Sequence, residues 1–152
     1  MPRREQPLAS GNYYHVYNRG LAKEPIFFEP ENFDFFIRRL RDILTPDVVT
    51  MVSYCLMPNH YHTLVQLHTD AFSTFMQRLH MSFANAMNKR YQRVGPLFQG
   101  RFQARHVEKD SYLLHLSRYI HLNPVHAGLV TKAEEWGTPA IAISSDFGDL
   151  HL

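Results

Sequence analysis

Apolar and polar residues recur along the chain with two different spacings. Alternation rich in β-branched and aromatic residues is typical of strands, whereas apolar residues three and four positions apart are typical of helices. The strand-like pattern covers residues 13–20, 48–57, 60–67 and, as a fourth strand, 99–107. The helix-like pattern covers residues 29–44, 72–87 and 110–122. Pro58 and Asn59 separate the second and third strands, which predicts a tight turn.

The order of these elements, strand-helix-strand-strand-helix-strand-helix, predicts an α+β fold. An antiparallel, ferredoxin-like sheet with helices mainly on one face accounts for a strand-helix-strand unit followed by a hairpin. The other face of the sheet would then stay free to carry a site. No repeat or linker divides the chain, so residues 1–152 are expected to form one domain, with residues 1–11 and about 137–152 as flexible tails.

Composition is that of a cytoplasmic globular protein. The hydrophobic fraction is 45% and the charged fraction 20%, which are ordinary values for such a domain. Cys55 is the single cysteine in the sequence, and this suits a reducing compartment. No apolar run reaches the roughly 18 residues of a membrane span, and Arg3 and Arg4 lead into polar residues rather than a signal peptide. We therefore expect no membrane partner.

The distribution of charge is more informative than the net charge of +2. Residues 71–107 contain no Asp or Glu, and Tyr91, Phe98 and Phe102 lie among their basic residues. The basic residues of this stretch are Arg78, Lys89, Arg90, Arg93, Arg101 and Arg105. Positive charge beside aromatic rings is typical of a surface that binds phosphates and unstacked bases, so the stretch is a candidate DNA-binding segment. A solvated helix face followed by a loop is the alternative interpretation.

Two histidines, His60 and His62, are separated by one residue inside the third predicted strand. Because side chains alternate along a strand, both imidazoles are expected on one face. The opposite face of the strand is the better core and carries Tyr61, Thr63, Val65 and Leu67. Two imidazoles at this spacing can bind one metal ion, with a third ligand or water completing the shell. They can also be two half-exposed histidines on a sheet.

The third predicted helix has a polar face. This face carries Tyr112, His115, Tyr119 and Asn123. The last three follow Tyr112 by three, seven and eleven positions, which places all four on one side of a helix. A tyrosine hydroxyl beside a divalent metal ion and a basic groove can attack a phosphodiester. Tyr119 can equally be an amphipathic residue at a helix-sheet boundary. Asn123 precedes Pro124 and can simply cap a following short helix.

Three motifs follow one another in the chain: MPNHYHTLV, GPLFQGRF and RYIHLNPVHAGLV. Together they resemble the single-tyrosine HUH transposases, and most closely the REP-associated tyrosine transposase branch. The segment YYHVYNRG resembles the first strand of that family, so the resemblance extends over roughly residues 13–130. The later segment EEWGTPAIAISS resembles only loosely the tryptophan-and-serine segment of the branch.

The resemblance implies roles for the residues at matching positions. His60 and His62 would bind a divalent metal ion, magnesium or manganese, and Asn123 would supply a third polar ligand. Tyr119 would attack single-stranded DNA and form a 5′-phosphotyrosine, which a later 3′-hydroxyl resolves without a nucleotide cofactor. The basic residues from Arg78 to Arg105 would hold the strand, through a hairpin at a transposon or repeat end. The family implies either a homodimer or a chain that acts alone.

Other functions are compatible with parts of this pattern. A ferredoxin-like sheet can bind single-stranded nucleic acid by stacking, without needing His60 or Tyr119. A replication-initiator or relaxase-type HUH nickase would share both the metal site and the tyrosine. A metal-dependent hydrolase acting through activated water is disfavoured, because the histidine region lacks a cluster of carboxylates.

Overall fold

The computed structural model describes residues 7–108 and the backbone of residues 141–143. The strands are β1 (Tyr13–Arg19), β2 (Val49–Met57), β3 (His60–Leu67), β4 (Gln103–Val107) and β5 (Ile141–Ile143). The helices are α1 (Pro30–Ile43) and α2 (Phe72–Arg90), with a short 3-10 turn at Leu21–Lys23. The four predicted strands and the first two predicted helices are confirmed, with displaced ends. The predicted helix over residues 110–122 lies outside the described residues.

The strands form one antiparallel sheet in the order β4-β1-β3-β2-β5. The first four strands in this order are those of a ferredoxin-like sheet, so the predicted α+β fold is confirmed. The strand β5 was not predicted, and it pairs with β2 at the edge of the sheet. Strand β1 is central because it pairs with β3 on one side and β4 on the other.

One face of the sheet packs against both described helices. Tyr61 on β3 contacts Phe36 of α1 at a ring-centroid distance of 5.3 Å, and Phe36 contacts Phe83 of α2 at 5.1 Å. Helix α1 begins at Pro30, whose fixed φ suits the first helical position, and a capping box between Glu29 and Asn32 supports that end. No described helix is long and apolar enough to span a membrane.

The opposite face of the sheet carries the two histidines, and it is not uniformly open. Along its β2 side the side chains of Ser53, Cys55, Met57 and Leu64 are buried. Around β1 and β4, by contrast, Tyr17 is half-buried and Arg105 is exposed. The sequence-based expectation of a wholly free second face is therefore wrong for the β2 half. A site on this face is confined to the end where β1, β3 and β4 meet.

Candidate active site

The imidazoles of His60 and His62 lie side by side on one face of β3, as the alternation predicts. Their ring centroids are 4.9 Å apart and the two rings are nearly perpendicular, with an interplanar angle of 84°. Both side chains are half-buried. The extended backbone of β3 holds them in place, because β3 is paired on both sides, with β1 and β2.

The Nδ1 atom of each histidine is engaged by a neighbouring side chain. Nδ1 of His60 lies 2.7 Å from Oδ1 of Asn59, and because this oxygen can only accept, His60 donates from Nδ1. Nδ1 of His62 lies 3.0 Å from Nε2 of His15 on β1. A histidine that donates from Nδ1 carries its lone pair on Nε2, which is the atom that can bind a metal ion.

Burial keeps two of the imidazoles in this cluster neutral. The pKa of His62 is lowered to about 3, first by burial and then by the neighbouring His15 and His60. The pKa of His15 is lowered to about 4 by burial and by the charge of Arg105. Neutral imidazole is the form that binds metals, so His62 does not have to lose a proton at neutral pH before it can act as a ligand.

A cavity of about 740 Å³ lies beside the histidine pair. Besides the histidines, its lining includes Tyr17, Asn18, Arg19, Lys23, Asn59, Gln99, Arg101 and Gln103. Among the residues that the structure describes, the lining contains three cationic side chains and no carboxylate, so its charge attracts phosphate. Arg19 and Lys23 were missed by sequence reasoning. Arg19 pairs with His60 in the β1–β3 register, and a single strand pattern carries no signal for that register.

The segment 98–102 forms one wall of this cavity and is fastened to β1. The backbone N–H of Gln99 donates to the carbonyl of Arg19 at 2.9 Å, and the side chain of Asn18 donates to the carbonyl of Gly100 at 2.9 Å. Phe98 and Phe102 lie at the two ends of this segment and are buried, with 8% and 5% of their surface exposed. The expectation that these rings stack on bases is therefore wrong, because they fill the core. The residues between them that are exposed are Gln99, Gly100 and Arg101.

The predicted basic stretch does not form one surface. Arg101 lines the histidine cavity, and Arg105 pairs in register with His15. Arg90, near the far end of α2, forms ion pairs with Glu29 and Glu31. The guanidinium of Arg93 lies over the ring of Phe28 at 5.4 Å, and that of Arg78 lies over the ring of Phe75 at 5.9 Å. Lys89 is exposed in the last turn of α2. The structure thus brings Arg101 and Arg105 to the histidine side of the sheet.

Two of the predicted site residues, Tyr119 and Asn123, lie outside the described residues, and so do Tyr112 and His115 of the same predicted helix face. Within the part of the chain that the structure describes, no group of three or more His, Cys, Asp or Glu side chains is arranged to hold a metal ion. A metal shell built on His60 and His62 therefore needs a ligand of another kind, from another part of the chain, or water.

Comparisons with known proteins agree with this geometry. A family model described as "Transposase IS200 like" matches residues 9–123. A solved structure of the REP-associated tyrosine transposase bound to a REP hairpin is similar over 100% of this chain and 89% of its own, with a TM-score of 0.80 and 17% identity. A crystal structure of a candidate transposase from Deinococcus radiodurans R1 covers 78% of this chain and 95% of its own, with a TM-score of 0.52 and 17% identity. No curated protein matches the chain.

The two structural likenesses show that the fold is that of the HUH transposases. The family model spans most of the chain and includes the histidine pair, the segment 98–102 and Tyr119. The chain belongs to the IS200-like transposase family.

Proposed function

We propose that this protein is a REP-associated type of tyrosine transposase, which cleaves and rejoins single-stranded DNA through a covalent link to Tyr119. The observation that carries the proposal is the histidine pair, with both Nδ1 atoms engaged, beside a cavity whose described lining has three cationic side chains and no carboxylate. A stacking surface for nucleic acid would need neither the oriented imidazoles nor the neutral state of His62.

The donor set fits a divalent ion such as magnesium or manganese. His60 and His62 would hold it through Nε2, and Asn123 is the proposed third ligand. When bound, the ion would supply positive charge to an oxygen of the scissile phosphate. Asn59 and His15 would orient the two imidazoles through the hydrogen bonds that the Nδ1 atoms make with them.

The remaining steps belong to side chains of the protein. Arg19, Lys23 and Arg101 would hold the phosphates of the strand in the cavity, where no carboxylate of the described lining cancels their charge. The hydroxyl oxygen of Tyr119 would attack phosphorus and release its proton to solvent, and the departing 3′ oxygen would take up a proton from solvent. One bond forms between this oxygen and phosphorus, and the bond from phosphorus to the 3′ oxygen breaks, leaving a 5′-phosphotyrosine and a free 3′-hydroxyl. The ester energy is kept, so rejoining needs no nucleotide cofactor.

The proposed substrate is a single strand that carries a hairpin at a repeat end. Its support is that the structurally similar transposase was solved bound to a REP hairpin. Arg105, exposed on β4 next to His15 in the register, is a further candidate for contact with the DNA backbone.

The test is covalent trapping. End-labelled hairpin DNA with a single-stranded flank is incubated with the protein and manganese and run on a denaturing gel. Wild-type protein should form an adduct that mass spectrometry assigns to Tyr119, and Tyr119→Phe and the double variant His60→Ala/His62→Ala should form none. Tyr112→Phe and Tyr91→Phe are matched controls that should still form it.

Two other outcomes would contradict the proposal. An adduct that persists in Tyr119→Phe would show that another residue is the nucleophile. DNA binding without any adduct from the wild type would favour a non-catalytic binding domain. A mixture of Tyr119→Phe and the double histidine variant tests the oligomeric state. An adduct restored by the mixture requires a homodimer in which tyrosine and histidines come from different chains.

A further inference from the structure

A second cavity, of about 430 Å³, lies on the other side of the segment 98–102, between that segment and α2. From α2 it is lined by Ser73, Thr74, Gln77, His80 and Met81, and from the segment by Gly100, Arg101 and Phe102. The α2 residues are separated by one, three or four positions, so they share one face of the helix. We call this cavity the α2 groove.

Arg101 lines both the histidine cavity and the α2 groove. Its position between them is fixed by the buried rings on either side of it: Phe98 packs on Tyr61 at 6.4 Å and Phe102 packs on Phe72 at 5.7 Å. Arg101 itself is exposed. A phosphate bound by Arg101 would therefore have one neighbouring nucleotide toward the histidines and the other toward the α2 groove.

The chemistry of the α2 groove suits a nucleobase. Among the described residues of its lining there is no carboxylate, and Arg101 is the one side chain with a full positive charge. Ser73, Thr74 and Gln77 are exposed and can donate or accept hydrogen bonds at a base edge, as Gln does in reading adenine. Met81 is 56% exposed, which is unusual for a large apolar side chain and gives a polarisable surface for a base ring. The volume lies in the range of pockets that enclose small ligands, roughly 300–1,000 Å³.

We propose that the α2 groove is a base-binding subsite for one unstacked nucleotide of the single strand, next to the phosphate held by Arg101. Gln77 contacts the edge of that base and Met81 contacts its ring. The inference rests on the proposed function, since it takes single-stranded DNA to be the substrate. It adds a residue-level basis for sequence preference near the cleavage position.

The test combines single abasic sites with variants of the groove. Hairpin DNA is made with one abasic site at each position of the single-stranded flank in turn, and Kd is measured by fluorescence anisotropy without metal. For wild-type protein, an abasic site at one position should raise Kd by about 10-fold, which is the loss of affinity expected when one bound base is removed. Gln77→Ala and Met81→Ser should each raise Kd for intact DNA, and the abasic site at that one position should then have little further effect.

Asn85→Ala is the matched control, because Asn85 is exposed on the same helix and lines neither cavity. It should leave Kd and the whole abasic profile unchanged. Effects of Gln77→Ala that add to those of every abasic site would overturn the subsite. The two proposals fail separately: an adduct in the trapping assay without this coupling removes the subsite, whereas coupling without an adduct removes the catalytic function and leaves the subsite.

Discussion

The hydrogen-bonded pair of Tyr61 and His80 makes the stability of this protein depend on pH. Nε2 of His80, on α2, lies 2.7 Å from the hydroxyl of Tyr61, and the imidazole packs on Phe98 at a centroid distance of 4.5 Å. Burial lowers the pKa of His80 from 6.5 to about 4, and a backbone hydrogen bond to Met76 opposes this shift. The unfolded chain therefore takes up a proton at a higher pH than the folded chain does.

The size of the effect follows from the two pKa values of His80. Well above pH 6.5 neither state is protonated at this ring, and stability is unaffected. Between pH 6.5 and 4 the unfolded state holds the additional proton, so stability is lost as the pH falls. With pKa values of 6.5 and about 4, linkage gives a loss of about 2 kcal/mol at pH 5 relative to pH 8, out of a limit of about 3 kcal/mol.

The variant His80→Gln isolates this contribution. Glutamine can keep a hydrogen bond to the Tyr61 hydroxyl but takes up no proton in this range. Urea unfolding followed by far-UV circular dichroism, at pH 8 and pH 5 with a chelator present, gives the free energy of unfolding of both proteins. The wild type should lose about 2 kcal/mol more than the variant over this interval.

Other groups titrate in the same interval, and the comparison removes them. The pKa values of His15 and His62 are also lowered by burial, to about 4 and about 3, but both residues are present in wild type and variant. His68→Gln, which removes an exposed histidine, controls for the loss of a surface imidazole. Equal losses in wild type and His80→Gln would refute the assignment of a buried neutral His80.

Two further predictions concern the orientation of the histidines and the turn after β1. His15→Leu and Asn59→Ala each remove the partner of one Nδ1 atom, and isothermal titration should find manganese bound about 10- to 100-fold more weakly than by wild type; unchanged affinity in both variants would contradict the orienting role. Gly20→Ala should lower the free energy of unfolding by about 1–3 kcal/mol, seen as a lower midpoint of urea unfolding, because an added Cβ would lie 2.0 Å from the carbonyl oxygen of Glu24. A midpoint equal to that of the wild type would mean that the backbone there can move apart without a cost in free energy.

Local pattern was sufficient for much of the fold. The hairpin of β2 and β3 was predicted with the bounds of β3 unchanged, because Pro58 and Asn59 mark the turn and alternation marks the faces. The same alternation assigned Tyr61 to the core and the histidines to the other face. The apolar pattern of α2 stops at Met87, whereas the helix ends at Arg90, since polar residues in a last turn carry no apolar signal.

Features that depend on pairing between segments far apart in the chain could not be predicted from the sequence. Arg19 and Lys23 join the histidine cavity only because β1 runs beside β3, and no periodicity encodes that register. In the sequence, an aromatic residue among basic residues has the same pattern whether its ring faces bases or the core. The prediction that Phe98 and Phe102 face bases was therefore wrong. The edge strand β5 is three residues long, too short for a periodic pattern. The roles of Tyr119 and Asn123 stay predictions.

The strand order also sets when the histidine cavity can exist during synthesis of the chain. The hairpin of β2 and β3 is local and can pair as soon as both strands have left the ribosome. Strand β1 leaves earlier but lies between β3 and β4, and its second partner begins only at Gln103. The wall that carries Arg101 is fastened to β1 by the hydrogen bonds that Gln99 donates to Arg19 and that Gly100 accepts from Asn18, and Gln99 and Gly100 also emerge late. A nascent chain that stops before this segment therefore has the histidine pair without the cavity, and the site is completed only when most of the chain has been made.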